Sequence, residues 1–464
     1  MKSIKGNLFA RAGASFKSFF DFSVLSIDDN GKRLTFMALL IPKLCELLFS
    51  KITAMFNTLL ISGYAEDAVG ATTSATQVVS IFTILLNVTA VGATILVSFE
   101  LGRGDRVRAG RLAATSLLLI TVSSGVISLL LFIIAEPLLI LLNLEGEALM
   151  YGTVYLKIRG GLLFLPIISG FMSTMLICNG RAVHAMVSGM LSNALNVLFV
   201  YLLLYVKLIP GLSGTAAIAA ATEMACAASI VYSAVMFKHC KCPFVMRFDK
   251  RFIGKLYALG IPGSLSSFSY NMALTVTVGF IGAMGIVSLN AYSYTNNIVS
   301  FAAIFSAVIS SCTSVFVGRY AGRGDVESIK KICRLLVTIS MIGNTVISVL
   351  IFALRNPLLS LFTDNGDIFS MCLVIFAIDT TIECGRGVVN TMEPAMNASR
   401  NVIVTMIAGI VSAWGIIVLL SYVLGILLGL GLIGCWIAFA ISEWAKSTTY
   451  LVYFKTGRWK RHIS

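Results

Sequence analysis

The sequence predicts an all-α membrane protein in which twelve transmembrane helices form two pseudo-symmetric six-helix bundles. Three observations carry that prediction. Of the 464 residues, 58% are hydrophobic and only 12% charged, whereas a soluble domain carries about 25% charged residues. With mean hydropathy at +0.92, the chain has too little polar side chain to clothe a surface facing water. Twelve long apolar runs follow one another, and short words recur along the chain at a fixed offset of 220 residues.

A bilayer-spanning helix needs about 20 apolar residues, and each run supplies them. In order they occupy 34–61, 72–98, 112–134, 153–178, 184–206, 214–237, 255–282, 289–317, 332–353, 368–392, 402–424 and 430–454. They are continuous rather than alternating at period two, which argues against an outer-membrane barrel. Residues 1–33 form a basic N-terminal segment without the apolar core of a cleavable signal. Phe9, Phe16, Phe19, Phe20 and Phe22 among its bases suit a short helix lying on the cytoplasmic face of the membrane; a loosely ordered basic tail is the alternative. The rest divides into an N-terminal lobe (34–237), a basic linker (238–254), a C-terminal lobe (255–454) and a basic tail (455–464).

The formal net charge is +14, and its placement orients the chain. One set of loops, with both termini, holds the great majority of the 35 Lys and Arg, whereas the opposite loops hold only Lys207 and Arg355. Positive residues stay inside, so both termini are expected in the cytoplasm and the protein in the cell membrane. Orientation accounts for the basic charge, and no nucleic-acid partner is called for.

The tetrapeptide Gly-Arg-Gly-Asp stands at 102–105 and again at 322–325. Both copies fall on the cytoplasmic side, out of reach of adhesion receptors, and both read as the turn between the second and third helices of a lobe. In that turn Gly104 and Gly324 supply the bend, while Asp105 and Asp325 cap the helix that follows. Ile41-Pro42 recurs as Ile261-Pro262, and EPLLILL (136–142) as NPLLSLF (356–362). IPGLSGTAAIAAATEMA (209–225) lies over GLGLIGCWIAFAISEWA (429–445), with Glu223 over Glu443. Their matching mid-helix places point to a packing role common to both bundles. Six spans per repeat is an even number, so the halves share one orientation, an arrangement that transporters use to rock two bundles around a central site.

These residues together resemble the multidrug and toxic compound extrusion (MATE) family. Carrying the resemblance are Ile-Pro opening the first helix of each lobe, Gly-x-Gly-Asp after the second, and Gly-x-x-Gly followed by Thr222-Glu223 or Ser442-Glu443 in the sixth and twelfth. The resemblance spans about 34–454. It implies a monomeric, cation-gradient-driven antiporter that exports small organic, cationic compounds through a cavity opening alternately to each side, with H+ or Na+ as coupling ion and no cofactor.

Ionisable groups within the membrane are costly and therefore mark function. The tenth run carries Asp379, Glu383, Arg386 and Asn390, spaced 4, 3 and 4, which makes one polar stripe in which Glu383 can pair with Arg386. The first carries Lys43, Glu46 and Lys51, with Glu46 able to pair with Lys43. In the family pattern an Asp stands fifteen residues after the Ile-Pro proline; here that residue is Asn57. One branch places an Asn and then an Asp four residues later in the fifth helix; here they are Asn196 and Val200. Neither Asn nor Val titrates, so coupling is expected to sit in the C-terminal lobe. Other branches use an acid on the tenth helix, a role that fits Glu383 or Asp379, with Arg386 holding Glu383 ionised in one state. In the seventh run Ser264, Ser266, Ser267, Ser269 and Asn271 can line a cavity or offer oxygens to a sodium ion, and Asn57, Asn196, Glu46 and Lys51 are cavity candidates in the first lobe.

The protein is not expected to be an enzyme. His184, His239 and His462 are all expected in cytoplasmic loops, the ten Cys are scattered without disulfide spacing, and no Gly-x4-Gly-Lys-Ser/Thr loop exists to hold ATP. Two other functions stand beside export. One is a flippase for lipid-linked oligosaccharides, which would need a strongly basic cavity lined by residues such as Lys43, Lys51 and Arg386. The other is a membrane scaffold that transports nothing.

Overall fold

A computed structural model describes residues 25–29, 32–62, 66–141, 144–206, 213–245, 248–363 and 365–463. The N-terminal phenylalanines, and with them the expected surface helix or tail, lie outside the described residues.

Twelve spans follow in the expected order: α1 (Phe36–Ser62), α2 (Glu66–Gly102), α3 (Arg106–Leu141), the pair α4 (Gly146–Gly161) and α5 (Phe164–Cys178), α6 (Ala182–Leu204) and α7 (Gly214–His239). The second set is α8 (Arg251–Ala283), α9 (Ile286–Gly322), α10 (Val326–Ala353) with the short α11 (Arg355–Leu359), α12 (Gly366–Ala398), α13 (Val402–Leu427) and α14 (Gly431–Thr456). Most are strongly apolar throughout. Several are interrupted by polar matter: α1 with Lys43, Glu46 and Lys51, α4 with Lys157 and Arg159, α8 with its serines, α12 with Asp379, Glu383, Arg386 and Glu393, and α14 with Glu443 and Lys446.

Three local features depart from a plain helix count. A small antiparallel hairpin, β1 (Ser26–Asp29) with β2 (Lys32–Thr35), runs straight into α1, pairing Ser26 with Thr35 and Asp29 with Lys32. An Asn-Gly dipeptide separates the strands, a strong short-range hairpin signal. The fourth span is broken, its two helices meeting at 45°. Pro166, three residues into α5, has no N–H to bond back into α4, which favours a new helix start there. Finally, α13 is wound as π-helix over Val411–Val418 and Ser421–Leu427. The two repeat prolines also sit differently from expectation: Pro42 and Pro262 lie inside α1 and α8 rather than opening them.

The chain resolves into two compact units, Ala38–Ser264 and the residues from Leu265 on, the latter taking in also the described residues before Ala38. The boundaries thus fall within α1 and within α8. In the N-terminal unit, α2, α3 and α4 pack together, and α7 lies against α4, α5 and α6. The opening turns of α8 belong here because Gly92 and Gly260 let two backbones touch. A Cβ on Gly92 would stand 2.3 Å from the Leu256 carbonyl oxygen, and one on Gly260 2.2 Å from that of Val88. In the C-terminal unit α12 is the central helix, packed against α9, α10 and α14. Its apolar core includes Ile298, Ile375, Phe376, Ile417, Trp436 and Phe439, and the start of α1 joins the unit through an edge-on contact of Phe36 with Phe316.

Both Gly-Arg-Gly-Asp copies build the same turn. Gly104 and Gly324 adopt φ of +84° and +72°, the left-handed region that glycine enters without steric cost. Asp105 then accepts the Arg108 amide at 2.9 Å and Asp325 the Ser328 amide at 3.0 Å, each supplying an acceptor that the first turn of its helix lacks.

Candidate functional site

The polar stripe of α12 runs through the middle of the C-terminal unit. Glu383 is fully buried and Asp379 is 3% exposed. One Glu383 oxygen pairs with the Arg386 guanidinium, a turn away on the same helix. The other accepts the Asn344 amide of α10 at 3.3 Å, and Asn344 also reaches Ser306 of α9. The carboxylate is thus gripped from two helices, the arrangement that keeps a buried charge tolerable. Asp379 lies one turn before it with the Trp436 side chain beside it.

Arg386 and Asn390 line a half-open cavity of about 390 Å³ formed by α8, α9, α12, α13 and α14. Ser266, Ser267, Tyr270 and Asn271 line it from α8, Asn296 and Ser300 from α9, and Glu393 from the far end of the α12 stripe. From α14 come Glu443 and Lys446, whose ammonium bonds Glu443 at 2.9 Å and sits 5.1 Å from the centre of the Tyr270 ring. Both basic groups of this cavity are therefore held by an acid three residues earlier on their own helix. Gly409 of α13 lets Ser266 close one wall, since a Cβ there would stand 2.1 Å from the serine hydroxyl.

Glu393, Lys446, Tyr270 and Asn344 were not singled out from the sequence. The run ending at 392 stops one residue short of Glu393, and Lys446 stands one turn beyond Glu443. Intramembrane charge alone was a sufficient signal for both. Asn344 carried no such signal, because its part depends on α10 meeting α12.

In the N-terminal unit a second polar node joins residues far apart in sequence. The Asn57 amide of α1 donates to the Asn196 carbonyl oxygen of α6 at 2.8 Å, and the Asn196 amide donates to Thr222 of α7 at 2.9 Å. Val200 is fully buried one turn from Asn196. No member of this node titrates. Glu46 pairs with Lys43 at 2.9 Å and stays on α1; Lys51, half-buried on the same helix, makes no ion pair among the described residues.

Glu223 and Glu443 are both buried and both paired with a base, but the partners are unrelated. Glu223 meets the guanidinium of Arg159, on α4, whereas Glu443 meets Lys446 on its own helix. At the repeat offset, Arg159 corresponds to Asp379 and Lys446 to Cys226. The break between α4 and α5 likewise corresponds to the Ile382-Glu383 bond, and Pro166 to Arg386. The duplicated helix is broken in one lobe, with its paired base Arg159 before the break, and continuous in the other, with Asp379, Glu383 and Arg386 along it.

The MatE family model matches this chain twice, at residues 42–202 and 262–423. An uncharacterized transporter of Bacillus subtilis, YisQ, is 28% identical over 416 residues, covering 88% of this chain and 90% of its own. A probable multidrug resistance protein of Thermotoga maritima, NorM, is 24% identical over 435 residues, covering 91% and 92%. Among solved structures, a Pyrococcus furiosus transporter of the MOP superfamily, whose binding pocket is described as having reverse polarity, superposes with a TM-score of 0.84 at 16% identity, over 94% of this chain and 97% of that one. An outward-facing multidrug resistance MATE transporter superposes at 0.81, also at 16% identity, over 91% and 95%.

Proposed function

The chain belongs to the MatE family, and from that premise we propose that it exports small organic compounds across the cell membrane by exchanging them for a cation that moves down its gradient. The two lobes give alternating access, the protein acts as a monomer, and both termini face the cytoplasm. Coupling belongs to the C-terminal unit. The observation that carries this reading is the convergence of Glu383, Arg386, Glu393, Glu443 and Lys446 on and behind one cavity among apolar helices. Placing five ionisable groups there is costly unless they work. The matching region of the N-terminal unit supports the assignment by contrast, because Asn57, Asn196 and Thr222 can orient a ligand but cannot exchange a proton.

A cationic substrate is consistent with this cavity. Its two bases are each held by an acid, and Glu393, which also interacts with Lys446, brings the acids at the cavity to three (Glu383, Glu393, Glu443) against two bases. The same pairing weighs against a lipid-linked oligosaccharide, whose pyrophosphate would call for bases free to receive it.

Purified protein in liposomes loaded with a fluorescent organic cation tests the proposal. An imposed pH or sodium gradient should drive efflux, and a protonophore or sodium ionophore should stop it. Efflux that matches empty liposomes under both gradients would refute export of such compounds.

A further inference from the structure

Lys446 does more than neutralise Glu443. Its ammonium is bracketed by a Glu443 oxygen at 2.9 Å and the Tyr270 ring face at 5.1 Å, with Glu393 as a further electrostatic partner and the side chain 9% exposed. Ser266, Ser267 and Asn271 line the same cavity. Carboxylate, hydroxyl and amide oxygens gathered in one pocket are the ligands a hard metal cation takes. The second Glu443 oxygen is buried and accepts no hydrogen bond, so a ligand position stands uncommitted while the charge beside it is already answered.

The duplicate lobe isolates what is special here. Glu223 is answered by a guanidinium from a different helix, and Cys226 occupies the place of Lys446. In the C-terminal lobe that cross-helix base is replaced by an acid, Asp379, and the counter-charge is an ammonium on a flexible four-carbon stem one turn along. An ammonium is a compact point charge, unlike a planar guanidinium. A tethered group also acts at an effective concentration of about millimolar or above, so a free alkali cation must displace it before reaching Glu443.

We propose that Lys446 is a resident counter-cation: its ammonium fills the cation position of the C-terminal cavity and makes that cavity unresponsive to sodium, leaving the proton as the ion exchanged there. The groups available to the proton are Asp379, Glu383 and Glu393 on α12 and Glu443 on α14, facing Arg386, Lys446, Tyr450 and Tyr270; α9 and α13 present only uncharged residues to the cavity. The proton assignment rests on the proposed gradient-driven export, whereas the exclusion of sodium does not.

Binding of 22Na+ to purified protein, with no substrate present, tests it directly. Wild type and Lys446→Arg should show no saturable binding. Lys446→Met, which keeps much of the stem but removes the charge, should gain saturable binding that Glu443→Gln in the same background abolishes. Lys446→Gln serves as the second variant should the methionine form elute aggregated. Saturable 22Na+ binding by the wild type that Glu443→Gln removes would overturn the proposal, as would a monodisperse Lys446→Met or Lys446→Gln that still binds none. Absence of efflux under every gradient would count against export alone, and sodium-driven efflux by the wild type that Glu443→Gln abolishes would count against the resident lysine alone.

Discussion

Arg159 and Glu223 form a buried pair across α4 and α7, and removing only its base should unfold the N-terminal unit early. Arg159→Met keeps most of the stem's packing and deletes the charge. The Glu223 side chain is 2% exposed, and its other oxygen has no hydrogen-bond partner. Stripped of the guanidinium, the carboxylate is a buried charge without compensation, a loss of about 3–5 kcal/mol. Arg159 is itself 17% exposed, so water reaches part of the pair, which favours the lower end of that range. At roughly 2–4 °C per kcal/mol for a unit of this size, the midpoint should fall on the order of 10 °C. Replacing both partners, Arg159→Met with Glu223→Leu, leaves no orphan charge and should recover most of the loss. Thermal unfolding in detergent, followed by the monodisperse peak on size exclusion, reads all three proteins. A single variant within about 2 °C of wild type, or a double variant no better than the single, would refute the reasoning.

Other expectations follow from the same geometry. Asp325 is partly buried, which opposes its ionisation, but hydrogen bonds from Ser328 and Glu327 and the Arg323 charge together hold its carboxyl below the usual range. Its cap should therefore contribute about 1 kcal/mol at pH above about 4, fading as pH falls through the lowered value. The stability gap between wild type and Asp325→Ala should narrow accordingly, and a gap that widens in acid would contradict the cap. Burial and the neighbouring Cys240 push the Cys242 thiol up to about 11, offset in part by Arg181 and Arg106. An impermeant maleimide should thus label Cys242 only slowly at neutral pH, and from the cytoplasmic side only; labelling from outside would reverse the topology. Asn57→Ala breaks the bond to Asn196 and should weaken substrate handling while efflux stays gradient-dependent. Loss of that dependence with binding intact would assign coupling to the first lobe as well.

What could be read from the sequence was local. The Glu383–Arg386 and Lys43–Glu46 pairs follow from spacing on one helix, which fixes their separation wherever the helix goes. Turn and cap at Gly104-Asp105 and Gly324-Asp325 are likewise written in a few consecutive residues. The twelve spans were legible because their length and hydropathy are set by the bilayer. Contacts between helices were not legible. Asn57 and Asn196 are 139 positions apart and Arg159 and Glu223 64, and only packing brings them together. Nor did the repeat reveal that Glu223 and Glu443 take different bases, since symmetry of position does not imply symmetry of partner. The hairpin before α1 went unseen for another reason: a search for apolar runs passes over Ile27 and Leu34, buried residues in a polar stretch.

The central claim is that the C-terminal stripe couples export to a cation gradient, and Glu383→Gln tests it most directly. The amide keeps the shape, and its single oxygen can accept from Arg386 or from Asn344 but not replace both carboxylate oxygens; it cannot exchange a proton. In proteoliposomes, gradient-driven efflux by Glu383→Gln should fall to the level of empty vesicles, while the protein remains monodisperse and still binds the fluorescent cation. Efflux at the wild-type rate, with unchanged dependence on pH and sodium, would contradict the account and make the stripe structural.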